Sequence, residues 1–324
     1  MSVITYREAI RLALQEEMMR DDRVFIIGED VGAFGGAMAV TKGLFQTFGA
    51  KRVVDTPISE SAIIGAALGA ALTGLKPVAE IMFIDFVGVC MDQILNQVAK
   101  IRYMLGGQVE VPIVIRTQGG AGKGYAAQHS QSLEAWFCHI PGLKVVMPST
   151  PRDARGLLKS ALRDRNPVIF IEHKSLYNEK GEVPEQEELI PIGKADIKRA
   201  GRDVTITAHS KQVMNALEAA EVLFKEKGID CEVIDLMTIS PLDEETILNS
   251  VRKTGHLVTV EEGYENHGIG AEIIARTVAK NFDYLDAGPV RVAFPNCPVP
   301  FCGVLENAIL PNTKKIMDAV SAII

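Results

Sequence analysis

The stretch VVDTPISESAIIGAALGAALTGLKPVAEIM, residues 53–82, decides the fold. It opens and closes with short apolar runs typical of buried strands, and residues 61–75 between them carry no charge. That uncharged run is rich in Gly and Ala, and it is shorter than the roughly 20 apolar residues that crossing a membrane requires. It is therefore predicted to be a buried helix between two strands rather than a membrane span.

The same alternation continues on both sides of this stretch. Strands are predicted at 24–28, 51–56, 77–82, 111–116, 143–148 and 166–172. Helical patterns lie between them, one of them at 86–105, and a capping box from Thr5 to Glu8 predicts an earlier helix start. Short apolar strands separated by helices indicate an α/β fold with a mostly parallel sheet covered on both faces.

A polar segment with two prolines, residues 174–201, interrupts this pattern and predicts a boundary between domains 1–185 and 186–324. A second α/β unit follows. Its strand patterns lie at 203–208, 230–236 and 256–262, and its helical patterns at 211–227 and 243–253. The predicted fold class is therefore α/β, with two doubly wound, mostly parallel-sheet domains.

The overall composition restricts the partners. The chain has 324 residues and a formal net charge of −7, which argues against nucleic acid as a partner and is compatible with a basic protein partner. Its 5 cysteines are scattered without CxxC spacing, which is typical of reduced thiols in a cytosolic protein. The N-terminus lacks the basic and then apolar pattern of a signal peptide, so a cytoplasmic location is expected.

Two Gly-rich loops follow predicted strands, at 28–40 and 117–130, where parallel α/β sheets carry their sites. The second loop contains GGAGKG, but Thr117 and Gly124 stand where a phosphate loop requires Gly and then Ser or Thr. The first loop lacks GxGxxG spacing, and the chain has neither a GxSxG elbow nor zinc-ligand spacing. The common enzyme motifs therefore identify no function.

Three polar residues remain as candidates. Glu60 is the only charge between Asp55 and Lys76. It is either a solvated helix start or an acid at the edge of a dry interface, where it could share a proton with a ligand nitrogen. Two glycines in the following helix, each costing about 1 kcal/mol, indicate close packing against another helix or chain. His129 is either a locally bonded loop residue or a proton carrier, and Glu29 on the pattern alone is an ordinary loop acid.

Four longer stretches together carry a family resemblance. They are DTPISESAIIGAALGAAL at 55–72, AAQHSQSLEAW at 126–136, HIPGLKVVMPST at 139–150 and RDRNPVIFIEH at 163–173. They resemble the beta subunit of the thiamine-diphosphate-dependent first component of 2-oxo acid and acetoin dehydrogenase complexes, over essentially the whole chain. The resemblance implies a transketolase-like pyrimidine-binding domain followed by a transketolase C-terminal-like domain.

The resemblance also implies roles for individual residues. Glu60 matches the family glutamate that hydrogen-bonds the ring nitrogen of the aminopyrimidine, and Phe86 matches the aromatic residue that packs on that ring. His129 matches a histidine that takes part in proton transfer during acyl transfer to lipoamide, and Glu29 matches an acid of a proton relay between active sites.

The family divides its cofactor between two subunits. Its alpha subunit holds magnesium and the diphosphate through a Gly-Asp-Gly motif, which this chain lacks. The resemblance therefore implies a shared thiamine diphosphate, an alpha2beta2 heterotetramer, a beta–beta contact through the small-residue helices, and docking of a lipoyl acyltransferase. A potassium site of some relatives corresponds here to the backbone carbonyls of Ile113 and Ala161 together with Asp164 and Asn166.

Acetoin is the favoured substrate. Val89 stands where pyruvate-type members often have Gln, and the stretches 82–93, 117–124, 150–154 and 299–311 resemble acetoin-type members. The predicted function is cleavage of acetoin with transfer of the two-carbon acyl unit to lipoamide. The alternatives are the beta subunit of a pyruvate or branched-chain 2-oxo acid dehydrogenase, or a subunit that serves mainly in assembly and docking. An NAD oxidoreductase working alone is favoured only by fold analogy.

Overall fold

The computed structural model describes residues 1–324, which divide into two compact units. The first unit comprises residues 1–119 and 136–192, and the second comprises residues 120–135 and 193–324. The second Gly-rich loop therefore belongs to a different unit from the strand that precedes it. None of the helices combines the length and the apolar character that crossing a membrane requires.

The first unit is built on a parallel sheet. The strands up to residue 192 are β1 (Ser2–Thr5), β2 (Val24–Gly28), β3 (Val53–Asp55), β4 (Lys76–Ile81), β5 (Val114–Gly119), β6 (Lys144–Val146), β7 (Val168–His173) and β8 (Lys180–Val183). The helices in this part of the chain are α1 (Tyr6–Arg20), α2 (Leu44–Phe48), α3 (Glu60–Leu72), α4 (Val87–Asp92), α5 (Ile101–Met104), α6 (Glu134–Cys138) and α7 (Pro151–Leu162).

The strand order β6-β7-β5-β4-β2-β3 is parallel throughout, and β1 pairs separately with β8 in antiparallel fashion. Strands β5 and β7 are buried along their whole length, as expected for a sheet covered on both faces. The predicted parallel α/β architecture is confirmed, and each predicted strand up to residue 172 has its counterpart in the sheet.

Local capping explains where α1 begins. The Thr5 hydroxyl accepts the backbone N–H of Glu8 at 3.2 Å, and the Glu8 carboxylate accepts the N–H of Thr5 at 2.8 Å. This is the predicted capping box, in which two otherwise unpaired N–H groups are satisfied reciprocally.

The helical stretch predicted at 86–105 is confirmed, but it is not one regular α-helix. A 3₁₀ turn at Ile84–Phe86 leads into α4, a π-helix follows at Gln93–Val98, and α5 begins only at Ile101. The apolar side chains Ile94 and Val98 are buried as one face of the helical stretch, but Leu105 is exposed. The 3.6-residue periodicity does not reveal the extra residue per turn that a π segment inserts.

The second unit contains a second α/β sheet. Its strands are β9 (Asp196–Arg199), β10 (Val204–Ala208), β11 (Cys231–Asp235), β12 (Thr238–Ser240), β13 (Leu257–Tyr264) and β14 (Val290–Phe294). Its helices are α8 (Gln212–Lys227), α9 (Glu244–Thr254), α10 (Ile269–Asn281), α11 (Gly303–Ile309) and α12 (Thr313–Ser321).

Five of these strands form a sheet in the order β14-β13-β10-β11-β9, in which only β9 is antiparallel. An apolar core joins the faces of β10, β11 and β13 to α8 and α12, and its central side chains are fully buried. The two helices predicted at 211–227 and 243–253 are confirmed as α8 and α9, the latter capped by Asp243.

Candidate active site

Glu60 occupies the first position of α3, directly after the turn that leaves β3. It is only 8% exposed, and its carboxylate oxygens, which still reach solvent, accept no hydrogen bond from the chain. A buried carboxylate normally has a partner, because burying an unpaired charge is costly. Glu60 is therefore an acceptor ready for a donor that the chain itself does not supply.

Glu29 lies beside Glu60 because β2 and β3 are parallel neighbours. Gly28, the last residue of β2, pairs with Asp55 at the end of β3, so the loops after both strands begin at the same edge of the sheet. The Ser59 N–H donates to the Glu29 carboxylate, but burial and then the charge of Glu60 raise the pKa of Glu29 above its ordinary value. The sheet thus brings together two acids that lie 31 positions apart in the sequence.

The other side of this site is formed by α4, which packs against α3. The Ser61 hydroxyl donates to the carbonyl of Val89 at 2.8 Å. One position further on, Cys90 is fully buried, and burial followed by the charge of Glu60 raises the pKa of its thiol to about 12. Phe86 lies one turn before Cys90 and packs edge-on against Phe83, with ring centroids 5.8 Å apart.

The Gly-rich loop at 28–40 is held at the same edge of the sheet. The Gly32 N–H donates to the Asp55 carboxylate at 2.5 Å. A Cβ at Gly32 would lie 2.3 Å from that carboxylate, so any larger residue would displace the Asp55 side chain. The Thr41 hydroxyl donates to the carbonyl of Val31 at 2.7 Å and closes the base of the loop.

One face of α3 is exposed although it is apolar. Ile63, Ile64 and Ala67 are buried, whereas Ala66 and Gly69 on the opposite face are exposed. A Cβ added at Gly69 would meet no atom within 4 Å. Nothing within the chain therefore explains the cost of glycine at this helical position.

A buried ion network lies under the carboxyl ends of β4, β5 and β7, and the sequence patterns do not reveal it. Arg116 contacts Glu80 at 2.6 Å and both oxygens of Glu172 at 2.6 and 2.9 Å. The Tyr177 hydroxyl donates to Glu172 at 2.7 Å. Burial raises the pKa of Glu80, and the charge of Arg116 opposes that shift. The signals in the sequence are Glu80 within the apolar run 77–82 and Arg116 at the end of the run 111–116.

His129 lies in the second unit, within the segment 120–133, which contains no helix or strand. It is partly exposed, and its backbone N–H donates to the carbonyl of Ala126 at 3.4 Å. Ala126 has a φ of 60°, a left-handed conformation that is uncommon for a residue with a Cβ. The loop therefore presents His129 from a defined turn.

A second buried polar cluster lies near the end of this loop, and no sequence pattern predicts it. His209 Nε2 lies 3.4 Å from Glu134 Oε1. Burial alone would lower the pKa of His209, but the contact with Glu134 and the charges of Glu261 and Asp235 raise it. Glu261 accepts the N–H groups of Ile269 and Gly270 at the start of α10, both at 2.8 Å.

The residues that match the potassium site belong to the first unit: Ile113 precedes β5, and Ala161, Asp164 and Asn166 lie between the end of α7 and the start of β7. The side-chain oxygens are already bonded to cationic groups. Asp164 contacts the Lys144 ammonium at 2.5 Å, and Asn166 Oδ1 accepts from Arg102 at 2.5 Å. These side-chain oxygens do not fit a metal ion without displacing those two cations.

The two backbone carbonyls at this place fit a cation better. The carbonyl of Ile113 accepts the N–H of Val168 at 3.0 Å, and that of Ala161 accepts the N–H of Asp164 at 3.2 Å. The Ile113 oxygen keeps a second lone pair, whereas the Ala161 oxygen also faces the N–H of Arg163. No group of three or more His, Cys, Asp or Glu side chains that could hold a metal ion occurs in the chain.

The geometry at Glu60 fits the pyrimidine end of thiamine diphosphate. Its buried carboxylate lacks a protein donor, and Phe86 supplies an apolar ring at the end of the 3₁₀ turn that leads into α4, the helix packed against α3. The chain offers no comparable cluster of acids for the magnesium that accompanies the diphosphate. Glu60 and Phe86 would hold the pyrimidine, so the chain's own residues fit one end of the cofactor.

Comparisons with known proteins identify two domains and close relatives over the whole chain. Residues 2–180 match the transketolase pyrimidine-binding domain, and residues 193–316 match the transketolase C-terminal domain. The acetoin:2,6-dichlorophenolindophenol oxidoreductase subunit beta of Bacillus subtilis (strain 168) is 51% identical, over 98% of this chain and 96% of that protein. The pyruvate dehydrogenase E1 component subunit beta of Rhizobium meliloti (strain 1021) is 50% identical, over 100% of this chain and 70% of that protein.

A solved structure described as a split gene transketolase, an inactive beta4 tetramer, has the same fold. It matches with a TM-score of 0.80 over 99% of this chain and 98% of that chain, at 24% sequence identity.

Proposed function

Since the chain belongs to the family of transketolase-like beta subunits of the first components of acetoin and 2-oxo acid dehydrogenase complexes, we propose that it is the beta subunit of an acetoin dehydrogenase. The observation that supports its catalytic role best is the buried carboxylate of Glu60, which has no donor within the chain. A subunit that served only in assembly would have no need of such a group at the end of a parallel sheet.

Bound thiamine diphosphate would supply the nucleophilic carbon that attacks a ketone and the electron sink for breaking the adjacent bond. Glu60 would hold a proton at the pyrimidine ring nitrogen, and the dry surroundings would strengthen that hydrogen bond. Phe86 would pack on the pyrimidine ring and exclude water. Because its pKa is raised, Glu29 is better suited than an ordinary carboxyl to exchange protons near neutral pH.

The proposed reaction balances without an external oxidant. The bond between the carbonyl and carbinol carbons of acetoin breaks, acetaldehyde leaves, and the acetyl group passes to one sulfur of a lipoyl disulfide. The disulfide takes the electron pair and is reduced, and the proton of the carbinol hydroxyl ends on its second sulfur. His129, on the loop of the second unit, would move that proton, since imidazole exchanges protons near neutral pH.

The assembly we propose completes the site with a second kind of subunit. An alpha subunit would hold magnesium and the diphosphate, in an alpha2beta2 heterotetramer that also docks a lipoyl acyltransferase. Two beta chains would pack through the exposed face of α3, where Ala66 and Gly69 allow two backbones to approach closely. A potassium ion, if bound, would be held by the carbonyls of Ile113 and Ala161.

A pyruvate dehydrogenase beta subunit is the second candidate function, and the 50% identity to the Rhizobium meliloti protein favours it specifically. With pyruvate, carbon dioxide leaves in place of acetaldehyde, and the same acetyl group passes to the lipoyl sulfur. A branched-chain 2-oxo acid would follow the same course with a larger acyl group. Val89 is 62% exposed in the single chain. It supports acetoin as the substrate because pyruvate-type members often have Gln at this position.

The test is reconstitution with the alpha partner and a lipoyl acceptor, followed by assay with acetoin, pyruvate and a branched-chain 2-oxo acid. We expect kcat/KM for acetoin to exceed that for the others by about tenfold or more. A preference for pyruvate would establish the second candidate instead. If the wild-type complex is active and His129→Ala changes neither kcat nor KM, the chain serves in assembly rather than acyl transfer.

A further inference from the structure

The Gly-rich loop at 117–130 does not match a phosphate loop, but its backbone N–H groups bind a carboxylate of the same chain. Glu306 Oε1 accepts the N–H of Gly122 at 2.8 Å, and Glu306 Oε2 accepts the N–H of Gly124 at 3.1 Å. Gly122 and Gly124 have φ values of 87° and 71°, which turn their N–H groups toward one side. Successive N–H groups in such a loop form a concave anion site. Here the anion is a carboxylate of α11.

Glu306 is buried where it makes this contact. It is 3% exposed on a helix whose neighbours Leu305 and Asn307 are exposed. A carboxylate at such a depth is stable only when its oxygens are hydrogen-bonded, and the loop supplies both bonds. The two bonds lie on either side of Lys123, which is exposed at the tip.

A second carboxylate holds the start of the same loop. Glu262 Oε2 accepts the N–H of Ala121 at 3.1 Å, while Gln212 donates to Glu262 Oε1 at 2.8 Å and fixes its orientation. The side chain of Ala121 is buried in a small apolar cluster with Phe294 and Val299. The loop is therefore anchored both through its backbone and through an apolar contact.

The anchored residues 121–124 precede His129 in the same loop. Gly120 donates to the carbonyl of Gln131 at 3.0 Å, which closes the loop around the tip and places His129 inside the closed segment. The contact between Glu134 and His209 ties the outgoing limb at 3.4 Å. Fixing both limbs restricts the conformations open to His129 between them.

From this arrangement we infer that Glu306 is a positioning residue for acyl transfer, which holds the loop so that His129 meets the lipoyl acceptor. The inference rests on the proposed role of His129. Glu306 touches neither cofactor nor substrate in this account, and it acts through the N–H groups of Gly122 and Gly124. Its loss should therefore affect the transfer step and leave the earlier bond cleavage intact.

The experiment measures loop closure and transfer separately. Lys123 is the only Lys or Arg between Arg116 and Lys144, so trypsin cleavage of the loop yields the fragments 1–123 and 124–324. We expect Glu306→Ala in the full chain to speed this cleavage by about tenfold or more, because two charge-assisted hydrogen bonds are lost. Asn307→Ala, an exposed change on the same helix, is the matched control and should leave the rate unchanged.

Transfer is measured in the complex reconstituted with the alpha subunit, with two electron acceptors. Acetyl transfer to a lipoyl acceptor should fall by about tenfold or more in Glu306→Ala, while reduction of the dye dichlorophenolindophenol stays near the wild-type rate. A merely structural role would lower both activities together. Glu306→Gln, which keeps the size and one acceptor oxygen, should show a smaller change in the same direction and decides the matter if Glu306→Ala does not fold.

The inference is overturned if neither variant changes cleavage at Lys123, or if the loop opens and lipoyl transfer stays normal. His129→Ala, measured alongside, separates this failure from that of the proposed function. If His129→Ala abolishes transfer and Glu306→Ala does not, Glu306 is not a positioning residue and the role of His129 stands. If the His129→Ala variant transfers the acetyl group at the normal rate, the proposed role of His129 is wrong. The positioning role of Glu306, which depends on it, is then wrong as well.

Discussion

Glu29 and Glu60 share one corner of the first parallel sheet, and the charge of Glu60 helps to raise the pKa of Glu29. Glu29 directly follows β2, and Glu60 starts α3 after β3. Two acids in one partly buried corner repel each other when both are ionised. Such a pair is costly for a scaffold and useful for a site that must hold and release protons.

Replacing Glu60 tests its role directly. We expect Glu60→Gln to lower turnover of the reconstituted complex by at least about 100-fold, since the amide cannot share a proton with the pyrimidine nitrogen. Assembly with the alpha subunit, followed by sedimentation, should be unchanged because Gln has the same size. Turnover near the wild-type value would remove Glu60 from the mechanism.

Glu29 predicts a pH dependence of stability with a definite sign. Its pKa is raised in the folded chain, so its contribution to stability is present below its ordinary pKa and is lost as the pH rises through the folded value. The Glu29→Gln variant has no carboxyl to ionise at this position, so it does not lose this stability as the pH rises. The variant should therefore gain free energy of unfolding relative to the wild type between about pH 4 and pH 7 in urea titrations.

Glu8 provides a control of opposite sign for this measurement. Thr5 lowers the pKa of Glu8, so Glu8 contributes stability above its ordinary pKa that is lost as the pH falls. Glu8→Gln should accordingly lose stability relative to the wild type as the pH rises. Parallel behaviour of the two variants would contradict the assignment of Glu29.

Arg116 neutralises two buried carboxylates, and its removal should be severe. Arg116→Ala leaves Glu80 and Glu172 buried without their cation and is expected to cost about 3–5 kcal/mol in free energy of unfolding. Denaturant unfolding measures the loss. The exposed pair of Arg276 and Glu272 is the comparison, and Arg276→Ala should leave stability nearly unchanged.

Gly69 tests whether the exposed face of α3 meets another chain. Gly69→Leu adds bulk where no atom of the same chain lies within 4 Å, so the isolated chain should be as stable as the wild type or more so. Pairing of beta chains, measured by analytical ultracentrifugation, should be lost. Glu226→Leu adds similar bulk to an exposed position of α8 and should leave pairing intact. Normal pairing of Gly69→Leu would place the contact elsewhere.

The sequence predicts most of the sheet because its parallel strands are largely buried and therefore contain apolar runs, such as residues 24–27 of β2 and 168–171 of β7. It does not predict the break in the helix at 86–105, because a π segment keeps the same residue types while shifting their direction.

Single residues of the site were suggested by contrast with their neighbours, as Glu60 was in an uncharged stretch. The partnerships that hold the site could not be predicted in this way. Glu306 meets Gly122 across 184 positions of chain, and no local pattern records such a contact. The Gly-rich loop lacks the residues of a phosphate loop. The anion that its N–H groups bind is the carboxylate of Glu306 on α11.

We propose that this chain holds one end of thiamine diphosphate and needs a second subunit for the other. Isothermal titration calorimetry of thiamine diphosphate with magnesium tests it, first into the chain alone and then into its mixture with the alpha partner. We predict binding only in the mixture, because the chain offers Glu60 and Phe86 but no cluster of acids for magnesium. Tight binding to the chain alone would contradict the account, because the chain would then hold the diphosphate itself.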